Sequence, residues 1–103
     1  MKTPTVVKVG GHIYNIRKWD RRGARERARW GETSHRDLTI DIDEDCPELR
    51  SKEVLLHEVL HCVFYEWQID HSMGEEKIVA PMAMGLISVM RDNPKLFKWV
   101  VGK

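Results

Sequence analysis

At 103 residues the chain has room for one hydrophobic core and not for two. Apolar residues make up 42% and charged residues 32%, with a net charge of +1; this fits a soluble globular domain and gives no overall pull towards nucleic acid or an acidic partner. No apolar run approaches the roughly 20 residues of a membrane span, and the opening MKTPTVVKVGG lacks a signal peptide's apolar stretch, so a cytoplasmic monomer working away from membranes is expected.

The first predicted element is a hairpin over 5–19. Val6, Val7 and Val9 lead into Gly10-Gly11, and Ile13, Tyr14 and Ile16 follow; a Gly-Gly pair between β-branched runs suits a tight turn that needs positive φ. Residues 17–29 are basic, with Arg17, Lys18, Arg21, Arg22, Arg25, Arg27 and Arg29 against Asp20 and Glu26. Residues 30–35, WGETSH, read as a loop. LTIDID, 38–43, alternates apolar and polar and reads as a half-buried strand. Asp45 with Pro47 and Glu48 has the form of an N-cap, a first-turn proline and a capping box, predicting a helix over 46–67 whose second half is buried nearly all round. Ser72 and Glu75 repeat the capping-box spacing before a second helix over 73–91. Pro81 lies inside that helix, and Asn93-Pro94 ends it. The closing segment, 95–103, reads as a short helix or strand with Trp99 packed on the core.

Within the first helix stands HEVLH. His57 and His61 are four apart, so their side chains share a face about 5–6 Å apart at Cβ. That suits joint ligation of one zinc ion through bonds of about 2.0–2.1 Å. Glu58 lies about 100° further round, where a carboxylate can take a proton from a metal-activated water and return it to a leaving amine. This is the HExxH pattern of zinc hydrolases. By residue frequency it arises by chance in about one chain of this length in several hundred. Unpaired glutamate and histidine in an apolar helix would cost several kcal/mol, roughly, without partners. Cys46 and Cys62 have no CxxC spacing and are expected reduced. Cys62 points about 100° from His61 and is expected buried and inert.

A catalytic zinc needs a third protein ligand and an open fourth position. The downstream candidates are His71, Glu75 and Glu76. His71 falls ten residues after His61, outside the HExxHxxGxxH spacing, and is expected in the connecting loop. If Ser72 is an N-cap, Glu75 is its capping-box partner. Glu76 is then free; it shares a face with Val79, Ala80, Ala83 and Ile87, a narrow stripe suited to close packing against the first helix. The reading prefers Glu76, with Glu75 and His71 as alternatives. Tyr65, four residues after His61, either donates to an oxyanion or packs under the site. His12 and His35 carry no spacing information, and the methionines of the second helix read as core filling.

HEVLH followed by EEKIVAPMAMGLISVMRDNP resembles small HExxH metallopeptidase-like proteins of tailed phages and prophages. More distantly, it is similar to the ImmA/IrrE-type gluzincin metallopeptidases. The resemblance covers roughly 38–94. In that family the glutamate ligand opens a pattern ExxANxFA; with Glu76 as that glutamate, Val79 and Ala83 match its alanines and Met82 its phenylalanine. With Glu75 there, Pro81 falls on the phenylalanine. Ala80 stands where the family has asparagine, and Pro81 is unusual in the ligand helix. The resemblance implies an α+β minimal zincin: a small twisted antiparallel sheet packed on a central HExxH helix and a second, ligand-bearing helix. It also implies that 38–43 is the edge strand along the cleft, pairing with extended peptide by strand addition.

The expected function is zinc-dependent hydrolysis of a peptide or protein substrate. His57, His61 and Glu76 would hold Zn2+, with Glu58 as general base and then acid. One alternative is a non-catalytic, zinc-stabilised binding or assembly protein. Another is a DNA-associated, SprT-like protein using the 17–29 basic segment; in that family the third ligand is a histidine, which here would be His71.

Overall fold

Two consecutive glycines turn the chain back on itself at its start. Gly10 and Gly11 have φ of 59° and 96°, and they join β1 (Val6–Val9) to an antiparallel β2 (His12–Trp19) with Val9 opposite His12. The hairpin expected over 5–19 is present, and Val7, Val9, Tyr14 and Ile16 form its buried face. The computed structural model describes residues 3–19, 30–70, 72 and 74–102, without the side chains of Glu75, Glu76 and Val79. Residues 20–29, most of the basic segment, lie outside the described residues, as does His71. Of the basic segment, Arg17 donates from Nε and Nη2 to Asp41 Oδ1 and Oδ2 at 2.7 and 3.0 Å.

The fold is α+β, but its sheet is mixed, not antiparallel as expected. Its order is β1-β2-β4-β3. Strand β3 (Gly31–Ser34) arises from the stretch read as a loop, and β4 (Thr39–Asp43) from LTIDID. Strand β4 runs parallel to β2 and antiparallel to β3, so LTIDID is an inner strand, not the expected edge. Nor is it half-buried. Ile40 and Ile42 are fully buried, while Asp41 and Asp43 retain only 6% and 8% exposure. The aspartates that suggested a solvent face each have a partner: Arg17 holds Asp41, and Asp43 Oδ1 accepts the Asp45 N–H at 2.9 Å.

The first helix, α1, spans Glu48–Glu66, the second, α2, Glu75–Asp92, and the third, α3, Pro94–Val101. Both expected capping boxes are absent. Pro47 and Gly74 occupy the N-cap positions, and neither helix start has a side-chain cap hydrogen bond. Proline at the cap needs no N–H partner, and Ser51 instead bonds the Glu48 carbonyl through Oγ. Helix α1 lies across β3 and β4, burying Leu55, Val59, Cys62 and Val63. Its second half is not buried all round, for His57, His61 and Tyr65 are exposed. Helix α2 continues through Pro81. The closing segment is the helix alternative, and Trp99 is 2% exposed in the core. No helix among the described residues is long and apolar enough to cross a membrane.

The face of α2 that meets the core carries Ile78, Met82 and Val89. The expected stripe of Ala80, Ala83 and Ile87 is exposed. The close approach of α1 and α2 is made at Gly85 instead, where an added Cβ would stand 2.6 Å from Val63 Cγ1 and 3.3 Å from Trp67. Gly85→Ala should therefore destabilise the protein by about 1–3 kcal/mol through overpacking, despite the roughly 1 kcal/mol that alanine adds in helix propensity. Thermal or denaturant unfolding checks it.

Candidate functional site

Helix α1 splits its polar residues between two environments. His57 and His61 project from its exposed face, while Glu58, one position round, turns towards β3 and is 7% exposed. The carboxylate is held there: Thr33 Oγ1–H donates to Glu58 Oε1 at 2.7 Å. No described side chain bonds the second oxygen. Helix and strand come this close because position 31 has no side chain; a Cβ there would lie 2.6 Å from Val54 Cγ1 and 3.4 Å from Glu58 Cγ.

The Nε2 atoms of His57 and His61 are 3.1 Å apart, with ring centroids at 4.7 Å and planes at 79°. One neutral imidazole donating to the other satisfies that distance. So does an ion: two zinc–nitrogen bonds of about 2.0–2.1 Å at a tetrahedral angle place their nitrogens about 3.3–3.4 Å apart. The donor pair fits the metal expected from the sequence, with both nitrogens converging. Among the described residues no group of three His, Cys, Asp or Glu is arranged to hold one ion. Glu76 is on α2, but its side chain is outside the described residues, as is that of Glu75.

These groups stand in a cleft of about 590 Å3, lined by residues 30–33 and 35 and by one face of α1 from Arg50 to His61. The described lining includes nothing from α2. The strand bordering the cleft is β3, so the place expected for LTIDID belongs to GETS.

His35 was not marked by the sequence, yet it lines the same cleft. Its ring lies flat on Tyr65, with centroids 4.0 Å apart and planes at 5°. Tyr65 is thus a platform for His35 at the surface and does not pack beneath the site. His35 Nδ1 is 3.2 Å from the hydroxyl of Tyr14, a fully buried residue. That hydroxyl donates to Glu66 Oε2 at 3.1 Å, and His12 Nδ1 lies 2.9 Å from Glu66 Oε1. Burial pushes the His35 pKa down, against the pull of Glu66, favouring the neutral ring. Burial also pushes the Tyr14 phenol up and the Cys62 thiol up to about 12. Cys62 is therefore buried, as expected, and its burial favours the protonated thiol. The His12–Glu66–Tyr14–His35 chain joins residues 21 to 54 positions apart, so no local spacing could have disclosed it.

Comparison with protein-family models, with curated proteins and with solved structures returns no match to this chain.

Two outcomes follow from this geometry. Thr33→Val removes a hydrogen bond to a buried carboxylate and should lower stability by about 1–3 kcal/mol, with Thr33→Ser restoring most of it, as read by denaturant unfolding. Iodoacetamide at pH 7–8 should leave Cys62 unmodified in the folded protein and label it after unfolding, as read by peptide mass spectrometry.

Proposed function

We propose that the protein is a zinc-dependent hydrolase of peptide bonds. The observation that carries this reading is the convergence of His57 and His61 Nε2, 3.1 Å apart, beside a glutamate whose carboxylate is fixed in the same cleft. The likeness of HEVLH and the following helix to ImmA/IrrE-type metallopeptidases supports the same chemistry. His57 and His61 would hold the ion, with Glu76 the third ligand expected from the sequence. When bound, zinc lowers the pKa of a coordinated water towards about 7 and polarises a carbonyl.

The chain's own groups supply the rest. Thr33 fixes one oxygen of Glu58, so the other is the one presented to reactants. That oxygen takes the proton of the attacking water and hands it to the departing amine, one carboxylate serving in both directions. An extended substrate lies along β3, the sheet margin that borders the cleft, and pairs with it as an added strand. The exposure of His57 and His61 makes the cleft accessible to a chain segment without prior opening.

Purified protein should bind one equivalent of zinc, and His57→Ala or His61→Ala should weaken that binding by at least about 100-fold, as read by competition with a chromophoric chelator. Glu58→Gln should keep the metal and the fold while peptide hydrolysis falls by about 10²–10⁴-fold. Zinc retained with hydrolysis indifferent to Glu58→Gln would point to a non-catalytic zinc-stabilised module instead.

A further inference from the structure

The cleft contains an imidazole that the reading above does not use. His35 follows β3 directly and shares the cleft with His57, Glu58 and His61. It is held on two sides: its ring is stacked on Tyr65, and its Nδ1 is bound to the Tyr14 hydroxyl.

Proton accounting fixes which ring nitrogen carries the hydrogen. A phenol has one proton, and an ionised carboxylate can only accept. The Tyr14 proton goes to Glu66 Oε2 at 3.1 Å, leaving the Tyr14 oxygen an acceptor towards His35. The hydrogen between Tyr14 and His35 therefore sits on Nδ1. The neutral ring then carries its lone pair on Nε2, since the hydrogen bond at one nitrogen sets the state of the other. No described residue bonds Nε2. His12 steadies the far end of the chain at Glu66 Oε1.

That lone pair has two conceivable uses beside a metal pair. One is as a further ligand, an outcome that the zinc-affinity comparison below detects. The other is as a fixed acceptor in the cleft that His35 shares with the His57–His61 pair. In an extended peptide the donor next to a reacting carbonyl is a backbone N–H. We propose that His35 is a substrate-binding residue that accepts, through Nε2, a hydrogen bond from a backbone N–H of the peptide held at His57 and His61. The site should accordingly prefer secondary amides and discriminate against N-alkylated ones, proline included. The inference rests on the zinc reading of His57 and His61.

Acetohydroxamate and N-methylacetohydroxamate test it. Both chelate zinc through two oxygens, and only the first carries an N–H. With zinc-loaded protein, calorimetry gives the affinity ratio of the pair. His35→Phe keeps a ring to stack on Tyr65 and removes the acceptor. That ratio should be about fivefold larger in the wild type than in His35→Phe, with zinc affinity equal in the two. Tyr14→Phe, which unties Nδ1, should also reduce it. Long-range ¹H–¹⁵N spectra should show His35 protonated at Nδ1 in the wild type.

An equal ratio in wild type and His35→Phe overturns the proposal while leaving the zinc site standing. So does a loss of zinc in His35→Phe, which makes His35 a ligand, or a ring protonated at Nε2 in place of Nδ1. Absence of zinc binding in the wild type overturns the zinc reading and this proposal together.

Discussion

Everything in this structure hangs on how α1 lies across the sheet. Leu55, Val59, Cys62 and Val63 are driven inward against β-strand side chains such as Ile40 and Ile42, all fully buried. With 3.6 residues per turn, that inward stripe dictates what the other positions do. His57, His61 and Tyr65 are carried to the outer face, and Glu58 is left at the seam between helix and β3. The site is thus a by-product of core packing: fixing the apolar stripe fixes the rotation of the helix, and the rotation sorts the polar residues.

The same packing gives three imidazoles and a carboxylate distinct surroundings within one cleft. Glu58 is buried at the seam with a hydroxyl donor, His57 and His61 face solvent and each other, and His35 is clamped between a ring and a phenol. Differences of burial and partner are what allow chemically similar groups to take different roles. Here they come from three secondary-structure elements, α1, β2 and β3, and one turn.

What could be read in the sequence was what is local. HEVLH is an i,i+4 pattern, and the Gly10-Gly11 hairpin has its turn chemistry and its strands side by side. The lengths of α1 and α2 follow from periodicity to within two residues at each end. What could not be read depends on distant partners. GETS has no apolar alternation and becomes a strand because β4 offers it a ladder and Gly31 lets α1 approach. LTIDID alternates like an edge strand, but Arg17 from β2 neutralises one of its aspartates and permits burial. The small-residue stripe of α2 pointed to Ala80 and Ala83, whereas the contact with α1 selected Gly85, the one position with no side chain to clash with Val63. Both capping boxes had the right letters, and the chain entered each helix two residues later.

The Asn-Pro that ends α2 has a second effect, at the far side of the sheet. Asn93 accepts the Lys8 N–H at Oδ1 and donates from Nδ2 to the Lys8 carbonyl, at 2.9 and 2.7 Å. A side-chain amide thereby imitates a neighbouring strand and occupies the middle of β1. Among the described residues, then, the sheet has one margin sealed by its own chain and another, β3, that borders the cleft. Such an arrangement is directional. Sheets that stack end to end into fibrils need a receptive margin on both sides, and the Asn93 amide obstructs one of the two at Lys8.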